Sequence, residues 1–227
     1  MNRTVKLYGL LTVLIILVSI GVALMVKTDT GLGAWDAIAL SISYMTGIKM
    51  GTIGLIFNLL CVVGQMILLG KNFKKINFLQ VPISLLLGNA VNFFVYTVFK
   101  DLTFNSYILR ITVAATSVAF IAVMIGAVVI LGLPTFSLEG FCSAVHKKTG
   151  LSFAKFRQWV DFFCVGAIIV LTLMSGIKWT SREGTVFSML TFGPMLGFFM
   201  PKIEKLYKKW GIIDGKSEIE KEIEGLE

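Results

Sequence analysis

Between Lys6 and Lys27 the chain runs for 20 residues without a charged side chain. That is about the length a helix needs to cross the hydrocarbon layer of a bilayer. Within that layer only a helix or a closed barrel satisfies every backbone hydrogen bond. Two more uncharged runs follow, 50–70 between Lys49 and Lys71, and 76–99 between Lys75 and Lys100. A polar break at 100–106 closes this first half. In the second half a long run at 111–138 contains Gly132 and Pro134, so its helix is expected to end near Gly132. A fifth run begins around Phe156 and passes through Asp161 to Gly176; a sixth covers 184–201.

Composition agrees. The 227 residues are 56% hydrophobic and 15% charged, with mean hydropathy +0.84, whereas a soluble domain carries about 25% charged residues. The start has basic residues before an apolar run, as a signal peptide does. The run is too long for one and no small-x-small site follows, so an uncleaved first helix is expected. The net charge of +8 does not suggest nucleic acid, because the basic residues flank apolar runs, where they set orientation.

One stretch breaks the pattern. After Asp36, the uncharged residues 37–48 number 12, too few to span. The segment opens on Gly31-Leu32-Gly33-Ala34-Trp35-Asp36 and ends on Thr46-Gly47, and reads as a broken or re-entrant helix. A shift of 103 residues supplies its partner. Thr46-Gly47 meets Thr149-Gly150, Asp36 meets Glu139, Asn58 meets Asp161 and Cys61 meets Cys164. Allowing a two-residue gap, Gly88, Phe93 and Phe94 meet Gly193, Phe198 and Phe199. The expected fold is therefore an all-α membrane protein with six transmembrane helices. They form two inverted three-helix repeats, each with a short re-entrant or broken helix. The divisions are 1–106, 107–201 and a solvated tail at 202–227, read as a surface helix or disordered end. With the N-terminus inside, nine basic residues outside the tail fall on the cytoplasmic side and six on the other. This places both termini in the cytoplasm.

The Gly31-Leu32-Gly33-Ala34-Trp35-Asp36 segment, Thr46-Gly47 and the following helix with Asn58 resemble the YczE/YyaS/YitT group of bacterial membrane proteins, closest to its YczE branch. The similarity covers about Tyr8 to Lys202. The resemblance implies a bacterial inner-membrane protein of two related halves and supplies no substrate.

The residues must carry the functional argument. Acids inside a bilayer cost about 3 kcal/mol each on insertion scales and mark function by default. Asp36 and Glu139 lead, although an acid in a first helical turn also offsets the helix dipole, and Ser137 is a reasonable N-cap for the second short helix. Asn58 and Asp161 follow. Arg157, one turn before Asp161, can neutralise it as a local pair. Asn89, Asn92 and Tyr96 share a face of the third helix, opposite Gly193, Gly197 and two prolines in its counterpart. Trp35 either covers a ligand or anchors an interface. The candidate solute-binding set is thus Trp35, Asp36, Asn58, Asn89, Asn92, Glu139 and Asp161.

His146, the single histidine, sits beside two lysines and reads as a surface residue. The three cysteines lack metal-ligand spacing, and hydrolase or phosphate-loop motifs are absent from the sequence. No metal, cofactor or catalytic residue is expected, and the chain is not read as an enzyme. A small secondary transporter for a cationic or zwitterionic solute, with proton coupling an option, fits best. A pore, a capture or assembly subunit of a larger membrane complex, and a structural protein are the alternatives. The expected partners are the lipid bilayer, a small solute, and either a second copy or a membrane subunit.

Overall fold

Gly47 and Gly150 end two helices of the same length, α2 (Ala34–Thr46) and α6 (Ser137–Thr149), both of 13 residues. Each glycine adopts the left-handed conformation, φ 75° and 74°, where a side chain would be strained. Each preceding threonine acts alike. The Thr46 hydroxyl donates to the Ile42 carbonyl at 2.8 Å and accepts from the Ile48 amide at 3.2 Å. Thr149 does the same with Val145 and Leu151, at 2.8 and 3.2 Å. At 1.5 Å per residue such helices extend about 20 Å, well short of a span.

The computed structural model describes residues 3–133 and 136–213. Around the two short helices stand α1 (Arg3–Thr28), α3 (Met50–Leu69), α4 (Gln80–Phe93), α5 (Tyr107–Ile130), α7 (Phe153–Ser175) and α8 (Glu183–Lys209). A 3-10 turn leads into α4 and a π-helical turn extends it to Val98. These are six helices long and apolar enough to cross a membrane. α5 stops at Ile130, before Gly132, as the sequence leads one to expect. α8 does not stop at Pro201. It continues to Lys209 with both Pro194 and Pro201 inside it, so the start of the expected tail belongs to this helix. Pro134, Thr135 and the acidic end from 214 lie outside the described residues.

α1 and α5 pack together at the centre, α4 lies against α1, and α8 lies against α5. The short helices cross between halves: α2 packs on α7, and α6 on α3. One apolar core joins the end of α1 to α2, the start of α3 and the middle of α7 through Val22, Ala37, Met50 and Ile168. A second joins the start of α1 to the end of α5 and Tyr207 of α8.

Polar contacts fix which helix ends share a face. Lys27 Nζ donates to the Lys100 carbonyl at 3.2 Å, bringing the ends of α1 and α4 together. Asp29 pairs with Lys178 at 2.6 Å, Arg182 at 3.5 Å and Arg110 at 3.9 Å. Tyr107 donates to Glu183 at 3.1 Å. The starts of α5 and α8 and the end of α7 therefore lie on this face too.

Candidate functional site

The loop between α1 and α2 runs from that charged face into the bundle. Asp29 turns the chain with φ 57° and Gly31 with φ 106°. Gly31 lies so close to Thr185 and the Arg182 backbone that a Cβ would meet both within 3 Å. The Thr30 carbonyl accepts from the Gly184 amide at 2.7 Å. α2 then starts in the interior, where Trp35 packs against Phe57 of α3 with ring centroids 5.3 Å apart. Thr180, after α7, holds α2 from the side: its hydroxyl donates to the Ala37 carbonyl at 3.1 Å and meets the Ser41 hydroxyl.

α6 is held from the other half. Gln65 of α3 and Gln80 of α4 exchange amide hydrogen bonds at 2.8 and 3.1 Å, each with 1% of its surface exposed. Gln65 also donates to the Ser137 carbonyl at 3.1 Å, and Gly140 packs onto the Gln65 amide. Ser137 is not the cap that its sequence position suggests. Phe136 is the N-cap residue, no side chain caps the helix, and the Ser137 hydroxyl instead meets Ser84 at 3.3 Å.

Between these two helix starts stands Arg157 of α7. Its guanidinium bonds Asp161 one turn on and lies 3.9 Å from Glu139, and Asp36 lies within the electrostatic reach of both Arg157 and Glu139. Glu139 and Asp161 thus share one guanidinium, a formal excess of negative charge to which Asp36, beyond ion-pair distance in the first turn of α2, adds. The positive ends of α2 and α6 offset part of it. Glu139 keeps 47% of its side chain exposed, against 28% for Arg157 and 19% for Asp161.

An open apolar groove of about 240 Å³ adjoins, lined by Trp35, Phe57, Leu60, Cys61, Gly64 and Phe141. Cys61 and Cys142 are buried with Leu138 beside it, and all three thiols are free. Among the described residues no set of three His, Cys, Asp or Glu side chains is placed to hold a metal ion.

Of the sequence candidates, Glu139 and Asp161 come together around Arg157, while Trp35, next to Asp36, packs with Phe156 and Val160 against the cluster of Leu138 and Cys142. Asn58 is half-buried on α3, one helical turn before Cys61. Asn89 and Asn92 bond elsewhere. Asn89 donates to the Leu85 carbonyl of its own helix at 2.9 Å. Asn92 accepts from the Gly51 amide at 2.8 Å and donates to Thr52 at 3.0 Å, and Tyr96 accepts from the Met50 amide at 3.1 Å. Their observed bonds fasten the start of α3. Arg157 is the central residue that the sequence reading treated as a local ion-pair partner. Asp29 and Gln80 were missed. The repeat gives no signal for Asp29, because Gly132 stands at its counterpart position.

The family model described as a family of unknown function, DUF6198, matches residues 5–201. The chain belongs to this family. The match spans both halves and ends within α8. It gives family membership without an activity and says nothing of the YczE/YyaS/YitT group. No curated protein and no solved structure matches the chain.

Proposed function

We propose that the chain is a small secondary transporter of two inverted repeats, carrying a cationic or zwitterionic solute. The observation that carries this reading is the meeting of the two short-helix starts beside Arg157, through Trp35 and Leu138, with Glu139 and Asp161 on its guanidinium and Asp36 in the first turn of α2. Transporter sites are commonly built where discontinuous helices end in the bundle interior, and intramembrane ionisable groups mark such paths.

Several features support the inverted arrangement. α2 and α6 lie 103 residues apart, as do the starts of α3 and α7, and the glycine and threonine caps are alike in both halves. The end of α1 and the end of α4 share a face through Lys27 and Lys100. Between them lie two span-length helices and α2, so α2 adds no crossing and returns to its own side. The same argument applies to α6, because the start of α5 and the end of α7 meet on that face. Three crossings per half then turn the second repeat upside down. With Arg157 at the site, the charge count becomes eight to six and still favours a cytoplasmic N-terminus.

In this reading Arg157 is a tethered cation that stands among the carboxylates when solute is absent. A cationic solute group competes for the same acids, and the neighbouring open apolar groove takes a small apolar part of the solute. The first test is a thermal-shift screen of purified protein against amino acids, amines and divalent metals. A ligand of the native state raises the unfolding temperature in proportion to its occupancy. Stabilisation by an amine or amino acid that vanishes in D36N/E139Q supports the site. Full stabilisation in that variant removes it.

A further inference from the structure

We infer that the two halves are caught in opposite states of one packing switch, and that exchanging these states opens the central site to one face at a time. The inference rests on the inverted-repeat reading above.

In the first half α3 and α4 are closed on each other. Gly51 and Gly88 touch backbone to backbone, so that a Cβ on either would run into the carbonyl oxygen of the other. Asn92 and Tyr96 add three hydrogen bonds to Met50, Gly51 and Thr52. Tyr96 also meets the Ser43 hydroxyl at 3.2 Å, tying in α2. This seals the half of the bundle near Asp29, where one carboxylate holds Arg110, Lys178 and Arg182 together.

Among the described residues the second half makes no such closure. α7 and α8 follow one another in the chain, as α3 and α4 do, yet lack comparable packing. Gly193 and Gly197 occupy the repeat positions of Gly88 and Asn92. A Cβ at either would meet nothing within 4 Å. The contact made in one half is unmade in the other, at the same repeat position. Small residues let helix backbones approach closely, so Gly193 and Gly197 leave α8 able to close on α7.

The gap bears on the site directly. Arg157 and Asp161 sit in the first half of α7, on the face opposite Asp29, and Glu139 of α6 beside them is more exposed than either, 47% against 28% and 19%. The site therefore opens between α6, α7 and α8 toward the face that carries Lys147 and Lys148. In the exchanged state α7 meets α8 through Gly193 and Gly197, while α3 leaves α4 at Gly51 and Gly88. Two related halves of one sequence can adopt both packings at similar cost, which is what a two-state element requires.

The test is thiol labelling by a membrane-impermeant maleimide in membrane vesicles of both orientations. The parent protein serves as background, because its three thiols are buried. G193C, with G197C as a second site in case one fails to fold, is expected to label from the Lys147–Lys148 face and not from the other. L55C, beside Gly88 in the closed contact, is expected to label slowly from the Asp29 face. Adding N92A/Y96F removes hydrogen bonds of the closed half. The L55C rate then rises about fivefold or more, and the G193C rate falls in the same variant. Absence of G193C and G197C labelling from the Lys147–Lys148 face overturns the inference. So does a faster L55C rate with unchanged G193C labelling, since that reports local loosening alone. No solute is needed, so the switch can stand while the transport reading fails, and the reverse.

Discussion

Arg157 on α7 lies 3.9 Å from Glu139 on α6 while it bonds Asp161 on its own helix. One guanidinium thus joins a short helix to a spanning one. Removing one partner of a buried pair costs more than the pair itself contributes, because the other charge is left behind. R157A is expected to lose about 1–3 kcal/mol, less than for a fully buried pair since the cluster is partly exposed. E139Q, which keeps the shape and leaves Arg157 bonded to Asp161, is expected to lose less than half as much. Chemical unfolding in detergent measures both, and equal losses would contradict the central role of Arg157.

Gln65 and Gln80 form a closed amide pair with almost no exposure. Q80L leaves the Gln65 amide without one donor and one acceptor, at a cost of about 1–3 kcal/mol. Q65L/Q80L removes both groups and is expected to be less destabilised than the sum of the two single variants. A double-mutant cycle on unfolding midpoints reads this coupling.

G51A is expected to be severely destabilised or to fail to fold, because the added methyl meets the Gly88 backbone, and backbone yields less readily than a side chain. G193A is expected to fold with a melting temperature near that of the parent. The contrast is measured by the yield and melting temperature of the two purified variants. Similar behaviour would contradict the unequal packing of the halves.

Much of this was legible in the sequence, for reasons particular to each element. Long apolar runs marked the six long helices, all uncharged but the fifth, which passes through Arg157 and Asp161, because lipid tolerates few charges. The Thr-Gly ends of α2 and α6 were readable because only glycine enters the left-handed turn cheaply. The equivalent places of Asp36 and Glu139, each in the first turn of a 13-residue helix, followed from their repeat positions. Pro201 misled: it reads as a stop, yet α8 runs through it to Lys209. Asn92 also read as a site residue, since a polar side chain in an apolar helix looks functional until its partner is known. Its partner is the start of α3, brought near only by folding. Asp29 was invisible for the same reason, as its cations come from three distant segments.

Asp29 itself gives a further prediction. D29N keeps the shape of the turn and removes the charge that holds Arg110, Lys178 and Arg182. It is expected to lower stability by about 1 kcal/mol, an exposed network being screened by solvent. The loss should shrink in high salt. A loss independent of salt would assign Asp29 a turn-forming role alone.

The most direct measurement is uptake into proteoliposomes of an amine or amino acid found by the thermal-shift screen, comparing the parent with D36N/E139Q of equal folded yield. The account predicts saturable uptake with counter-flow in the parent and none above empty vesicles in the variant. Non-saturating flux in the parent, or equal uptake by the variant, would contradict a carrier centred on the starts of α2 and α6.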